Sequence, residues 1–183
     1  MRKPIRLLLV LFTAFLLLPT GVGTPAESAG PYCGIWWGSL PKVARGDPVV
    51  APVTNVRAGR HACFDRLVVD LSGPLEAYQV RYVRSVRSVS GKKMPLRGGA
   101  DLRIEVWAPT YDADYVPVYQ PRKRANVVRV AGYRTFRQVR FVDSFEGIST
   151  FGLGVRARLP FRVFQLSGPG GGSRLVIDVA HRW

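Results

Sequence analysis

The sequence predicts an all-β protein, an antiparallel β-sandwich of about nine short strands. Apolar and polar residues alternate with a period of two, as in Tyr78–Val83, where Tyr78, Val80 and Tyr82 share one face. No segment carries a sustained apolar stripe at helical spacing. The 19 glycines and 14 prolines are scattered through the 183 residues, so that helices of three turns hardly fit between them.

One pattern, Arg-Leu-Val-x-Asp-aliphatic, occurs once early and once late in the chain. The first copy lies within Cys63–Pro74 and the second is Arg174–Val179. In the first, Leu67–Val69 is apolar and rich in β-branched residues, and Gly73-Pro74 ends the strand because proline offers no ladder donor. We interpret the two copies as equivalent central strands of the core, although short apolar strands also repeat by chance.

The other strands are predicted in chain order from the same alternation. The first, Val49–Arg57, contains Pro52, which places it at a sheet edge. In the strand Thr150–Ala157, apolar residues alternate with Gly152 and Gly154, which predicts either a flat outer surface or a close backbone approach. The remaining strands are Tyr78–Val83, Asp101–Trp107, Asn126–Tyr133, Phe136–Ser144 and Phe161–Leu166.

Two connections stand out by their composition. Arg84–Ala100 contains five basic residues and no acidic residue, and its serines, glycines and proline predict a mobile basic loop or a loose hairpin. Pro109–Pro121 is aromatic and acidic, and Arg122-Lys123-Arg124 follows it directly. Connections of this length are often functional.

The N-terminus has the three parts of a signal peptide. A basic start that includes Arg2 and Lys3 precedes the apolar run Leu7–Leu18, and Thr24-Pro25-Ala26 offers small residues for cleavage. Twelve residues span about 18 Å as a helix, too short for a hydrocarbon core of about 30 Å, so cleavage is favoured over a membrane anchor. We therefore predict a signal peptide (1–26), an irregular segment (27–48) and a β-sandwich domain (49–183), with export to the envelope or beyond.

The chain has two cysteines, Cys33 and Cys63. Two cysteines in an exported chain usually pair, because export leads to an oxidising compartment. A bridge would close a loop of about 31 residues, and the chain-entropy model gives about 3–4 kcal/mol of stabilisation for such a loop. The alternative roles are a thiol nucleophile or a metal ligand.

The net charge is large and positive. Removal of the leader takes three of the 27 basic residues and none of the 12 acidic ones, which leaves a net charge of +12. Such a charge favours acidic partners. For an exported protein these are wall polymers, phosphate-bearing glycans or anionic lipid headgroups, and export argues against nucleic acid.

The sequence offers no visible catalytic apparatus. His61 and His181 each lie beside a repeated strand, but a zinc site needs three or four ligands. Asp65, Asp70 and Asp178 each have a neighbouring arginine, and ion pairing is the simpler use of these carboxylates. We therefore predict no catalytic residue, no metal and no cofactor.

A set of motifs in fixed order resembles the AMIN-like domain proteins of actinobacterial envelopes, from Tyr32 to Trp183. The motifs are Cys33–Lys42, Gly59–Asp70, Phe145–Gly147, Phe151–Gly154, Pro160–Val163 and Arg174–Asp178. The resemblance implies a β-sandwich module of the kind that accompanies cell-wall amidases and secretin components and is associated with localisation to peptidoglycan. It implies no catalytic residue.

We expect an exported, non-catalytic module that binds peptidoglycan or another anionic wall polymer. The alternatives are a scaffold that binds an envelope protein through a sheet edge and a stand-alone wall hydrolase. Trp36 and Trp37 are adjacent, and neighbouring residues of an extended chain point to opposite sides. One ring can therefore pack under the disulfide while the other stays available for a ligand, or both rings can cover the edge of the core. The candidate ligand-binding residues are Arg84, Arg87, Lys92, Lys93, Arg97, Arg122, Lys123, Arg124, Trp36, Trp37 and Trp107.

Overall fold

A computed structural model describes residues 31–47 and 51–183, which form two antiparallel β-sheets. The predicted signal peptide and cleavage site lie outside the described residues. Within them, no helix is long and apolar enough to cross a membrane. The strands are β1 (Lys42–Ala44), β2 (Val53–Arg60), β3 (Phe64–Leu71), β4 (Tyr78–Val83), β5 (Ala100–Val106), β6 (Phe136–Phe145), β7 (Ile148–Val155), β8 (Phe161–Ser167) and β9 (Ser173–Ala180).

The strands are divided between a five-stranded and a four-stranded sheet. The five-stranded sheet has the order β1-β4-β5-β7-β6, and the four-stranded sheet has the order β2-β3-β9-β8. The core lies between them, and its largest fully buried side chains include Phe136, Phe151 and Phe161. The predicted fold class, an all-β antiparallel sandwich of nine strands, is therefore confirmed.

The two copies of the repeated pattern are β3 and β9, which pair with each other at the centre of the four-stranded sheet. Leu67 lies opposite Ile177 in the register, and both side chains are fully buried. The same register places Arg66 opposite Asp178 and Asp70 opposite Arg174. Because each copy begins with arginine and carries aspartate four residues later, antiparallel pairing matches opposite charges at both ends.

Two predictions about strands need correction. The segment Asn126–Tyr133 forms turns rather than a strand, although Val127, Val128 and Val130 pack against the core. Its apolar residues alternate with polar ones as in a strand, but they fill the core beside β6 and the segment does not pair as a strand of the sheet. Conversely, the segment 27–48, for which the sequence predicts no regular structure, contains the strand β1, which pairs with β4. The first predicted strand corresponds to β2, which lies at a sheet edge as predicted but begins after Pro52.

The connection Arg84–Ala100 is a hairpin that packs on the outer face of β7. The Ser88 N–H donates to the Lys92 carbonyl at 2.9 Å, and Val86 is fully buried. A Cβ atom added at Gly152 would lie 3.0 Å from Leu96 Cδ1, and one at Gly154 would meet the Arg97 carbonyl oxygen. The glycines of β7 therefore serve close approach of the backbone, and the basic connection is docked against the sheet.

A disulfide joins Cys33 to Cys63, as predicted. It fastens the N-terminal segment to the start of β3. The same segment bonds to the edge of the four-stranded sheet, where the Phe161 N–H donates to the Gly38 carbonyl at 2.8 Å. The bridge and this hydrogen bond hold the segment against the sandwich.

Candidate anion-binding site

A cavity of about 700 Å³, which we call the basic cavity, lies beside the edge strand β6. It is open to solvent and is bordered by the end of the docked hairpin and by the connection between β5 and β6. Of the described residues that line it, four are basic and none is acidic. The lining residues are Arg97, Lys123, Asn126, Val128, Arg129, Val130, Ala131, Gly132, Tyr133, Phe136 and Arg137.

The buried side chain of Gln138 joins the docked hairpin to the connection between β5 and β6 at this cavity. Its Oε1 accepts a hydrogen bond from the Arg97 N–H at 2.8 Å, and its Nε2 donates to the Ala125 carbonyl at 2.7 Å. The Arg97 Nη2 also donates to Asn126 Oδ1 at 2.8 Å. Arg97 and Lys123, which lie on different connections, consequently line the same cavity.

The wall formed by residues 121–135 is fixed to β6 by backbone hydrogen bonds. The Val127 N–H donates to the Val139 carbonyl at 2.9 Å, and the Phe141 N–H donates to the Arg124 carbonyl at 2.8 Å. These bonds occupy part of the outer edge of β6, which would otherwise present unpaired groups. The edge strand is thus covered by the same segment that carries the basic side chains.

The C-terminal end of this wall is fixed by a buried carboxylate. Asp65 Oδ2 accepts hydrogen bonds from the Thr135 N–H at 2.6 Å, the Thr135 hydroxyl at 2.6 Å and the Phe136 N–H at 3.2 Å. Arg137 Nη1 donates to the carbonyls of Tyr133 and Phe136. These bonds order the backbone at the rim before any ligand binds.

The structure places only two of the eight predicted basic residues at the cavity, namely Arg97 and Lys123. The guanidinium of Arg124 turns away, lies 4.7 Å from the Phe141 ring centroid and donates to the Val142 carbonyl at 2.6 Å. The other predicted basic residues are exposed outside the cavity. They are Arg84, Arg87, Lys92 and Lys93 on the docked hairpin, and Arg122.

Arg129 and Arg137 line the cavity but were absent from the predicted set. They lie within the predicted strands Asn126–Tyr133 and Phe136–Ser144, which gave no reason to place them at one site. One signal in the sequence could have identified them, since residues 121–142 contain seven basic residues and no acidic one. A long acid-free stretch is therefore a better guide here than the local triplet of basic residues.

The predicted aromatic residues do not line the basic cavity. Trp36 is 69% exposed, whereas Trp37 packs against Phe64 with ring centroids 5.9 Å apart. The Trp37 indole N–H donates to the Tyr32 carbonyl at 2.9 Å. Trp107 is half-buried. Trp36 thus remains the exposed candidate of the three.

The predicted ion pairing of the aspartates is confirmed at two positions and wrong at one. Asp178 bonds to Arg66 and Arg162, at 2.7 and 2.8 Å, and Asp70 binds the Arg57 guanidinium through two hydrogen bonds. Asp65 has no arginine partner in the described structure. Its Oδ1 lies 3.3 Å from His181 Nε2 instead.

The histidines and acids do not assemble a metal centre in the described structure, where no group of three or more potential ligands occurs. His181 is buried between Asp65 and the Ala62 carbonyl, which lies 3.1 Å from Nδ1. His61 stacks on Phe64, with ring centroids 4.5 Å apart. Both rings are thus engaged in local packing or hydrogen bonding.

Comparison with known proteins gives one finding. The family model of the AMIN-like domain matches residues 51–181. Searches of curated proteins and of solved structures gave no match. The matched residues cover most of the chain and include both central strands and the whole lining of the basic cavity. The chain therefore belongs to the AMIN-like domain family.

Proposed function

We propose that this protein is an exported, non-catalytic module of the cell envelope that binds an anionic wall polymer through the basic cavity. The observation that carries the proposal is the lining itself, with four basic side chains and no acidic one among the described residues. Membership of the AMIN-like family supports the envelope assignment. Peptidoglycan and its attached anionic polymers are the ligand class that fits both the basic lining of the cavity and the membership of this family.

Charge repulsion is the physical argument for a ligand. Like charges gathered around one concavity repel each other and oppose folding, and a bound polyanion removes that cost. Three of the four basic groups are arginines, whose planar donors match phosphate and carboxylate groups. Each exposed contact contributes little, often below about 1 kcal/mol, so binding relies on several contacts at once.

The exposed basic residues of the docked hairpin belong to the same proposal as peripheral contacts. Arg84, Arg87, Lys92 and Lys93 attract a polyanion over a range of about 10 Å at 0.1 M salt. They lie outside the cavity and so contribute less per charge than its lining. Arg122 and Trp36 are likewise exposed and are proposed as outer contacts.

Retention of the purified protein on isolated cell walls tests the proposal. We expect the double variant Arg97→Glu/Lys123→Glu to lose at least about tenfold in affinity at low salt, equivalent to about 1.4 kcal/mol. The matched control Arg84→Glu/Lys92→Glu changes the net charge equally but leaves the cavity intact, and should lose about threefold or less. Added salt should weaken binding of the parent protein through screening.

Equal losses in the two double variants would show that only the overall charge matters, and would remove the cavity from the proposal. Unchanged retention of a folded Arg97→Glu/Lys123→Glu variant would do the same. Circular dichroism and urea unfolding of each variant exclude loss of fold as the cause.

A second candidate function is a scaffold that binds an envelope protein through the edge strand β8. Residues 163–167 contain no charged residue and no proline, the two devices that usually protect an edge. Within the described residues, Gly38 is the one backbone partner on the free side of this strand. Replacement of Leu166, which lies on this strand and is 44% exposed, by lysine should abolish capture of a protein partner but leave retention on cell walls unchanged.

A further inference from the structure

A second cavity, of about 460 Å³, lies at the same edge of β6 and has a different chemistry. We call it the tyrosine cavity. Its lining includes Tyr111, Tyr115, Tyr119, Gln120, Arg124 and Asp143. One arginine and one aspartate line it, in contrast to the acid-free basic cavity, so the tyrosine cavity offers no net attraction to a polyanion.

The aromatic rim of this cavity is preorganised by a tight turn. Asp112 Oδ1 accepts hydrogen bonds from the N–H groups of Asp114 at 3.0 Å and Val116 at 2.9 Å. Tyr115 adopts a φ of +61°, a conformation that side-chain-bearing residues rarely occupy. Strained backbone of this kind concentrates at functional sites, where the surrounding bonds hold it.

The strained turn presents an exposed aromatic face. The Tyr115 side chain is 79% exposed, yet its ring stacks on Tyr111 with centroids 5.5 Å apart and planes at 20°. A large exposed ring held in one orientation loses little conformational freedom on binding. Such a ring is a ready surface for the C–H face of a sugar, since the ring face carries partial negative charge.

Hydrogen-bonding groups of both kinds line the same cavity as that face. Asp143 Oδ2 accepts from the Val89 N–H at 2.7 Å, while its Oδ1 is buried and has no hydrogen-bond partner among the described residues. Burial raises the pKa of Tyr119 to about 12, so its hydroxyl stays protonated and can both donate and accept. Gln120 adds an amide. Donors and acceptors beside an aromatic face match the hydroxyl groups of a pyranose.

We propose that the tyrosine cavity binds an uncharged saccharide unit. Its position connects it with the basic cavity, because Lys123 lines the basic cavity and the next residue, Arg124, lines the tyrosine cavity. Their Cα atoms are about 3.8 Å apart. In so far as the proposed function holds, one glycan with anionic substituents can place a sugar on Tyr115 and its charges among the arginines.

Titration of the isotope-labelled full chain with N-acetylglucosamine trisaccharide, followed by amide NMR shifts, tests this site. We expect shifts confined to residues 110–124 and 141–144, with an affinity that 0.5 M salt leaves unchanged, since no charge attracts this probe. Tyr115→Ala should weaken binding about tenfold, while Tyr115→Phe, which keeps the ring, should stay within about twofold. Tyr115 is exposed, so neither variant removes a core contact.

The result distinguishes this site from the basic cavity. Arg97→Glu/Lys123→Glu should still bind the trisaccharide as the parent does, even though its retention on cell walls falls. Absence of shifts, or equal binding by the Tyr115→Ala variant, would overturn the saccharide site and leave the proposed function standing. Shifts of the same residues with a proline-rich peptide and not with the sugar would also overturn it, since aromatic grooves bind such peptides.

Discussion

At the residue scale, buried polar side chains hold the basic cavity in shape. Gln138 is 6% exposed and bonds to the docked hairpin and to the connection between β5 and β6. Asp65 is fully buried and bonds to the Thr135 and Phe136 backbone. Neither residue contacts solvent appreciably, so neither is itself a ligand contact. They determine where the arginines lie, because each fixes the backbone that carries them.

Replacement of Gln138 by leucine should show this positioning role. The variant keeps the net charge but leaves the Arg97 N–H and the Ala125 carbonyl without their partners. Both hydrogen bonds are partly buried, and the loss of each costs about 0.5–1.5 kcal/mol, so the free energy of unfolding should fall by about 1–3 kcal/mol in urea titrations. Retention on cell walls should fall as well.

The exposed Gln165→Leu variant serves as the control, since Gln165 has no comparable bonds in the described structure. Unchanged stability and retention in Gln138→Leu would contradict the positioning role.

At the element scale, the pairing of β3 with β9 organises the four-stranded sheet. Its inward residues include Leu67, Val69, Leu175 and Ile177, all fully buried. Its outward face carries the complementary arginines and aspartates of the repeated pattern. The repeated pattern therefore pairs opposite charges in the antiparallel arrangement, where the arginine of one copy lies opposite the aspartate of the other.

Val69→Asp should abolish cooperative folding. The substitution places a carboxylate between the two sheets, where none of the buried residues that the structure describes is lysine or arginine. The interior strongly disfavours such an unpaired charge. Thermal unfolding followed by circular dichroism measures the effect. Thr54→Asp, on the exposed face of β2, introduces the same group and should shift the melting temperature by only a few degrees. A normal melting curve for Val69→Asp would show that the inward face was assigned wrongly.

At the scale of the whole molecule, Tyr82 joins the two sheets. Its hydroxyl donates to the Leu159 carbonyl at 2.6 Å and accepts from the Leu159 N–H at 3.0 Å, while its ring packs edge-on against Phe161 of β8. Burial raises its pKa to about 12, as it does for Tyr119. The neutral forms of both tyrosines are therefore favoured in the folded state.

This shift predicts alkaline sensitivity. Below about pH 10 both tyrosines are neutral in the folded and the unfolded chain, and their contribution to stability is complete. As the pH rises from about 10 towards 12, the unfolded chain loses these protons first, so the free energy of unfolding falls. Urea titrations at pH 8, 10 and 11 measure this decline. The Tyr82→Phe variant should have a lower free energy of unfolding than the parent protein at pH 8, but this free energy should fall less steeply as the pH rises. An equally steep fall in the variant and the parent would contradict the assignment to Tyr82.

Much of the fold could be predicted from local patterns. The alternation in Tyr78–Val83 matches β4 residue for residue, and the repeated pattern identified the central pair, because a half-buried strand imposes its period on its own residues. The disulfide could be predicted because the chain has two cysteines and a predicted signal peptide. The same reasoning was wrong for Asn126–Tyr133, where core packing without a ladder produces a similar alternation.

The sequence by itself determined the fold class, the central strands, the disulfide and the excess of positive charge, since these depend on composition and on neighbours along the chain. Only the tertiary structure decided that Arg97 and Lys123 share a cavity, that Arg129 and Arg137 join them, and that Arg124 turns towards the tyrosines. Those relations depend on contacts such as the Gln138 amide with Arg97, 41 residues apart. Such contacts produce no periodic pattern in the sequence, because each is made by a single side chain between segments that are distant along the chain.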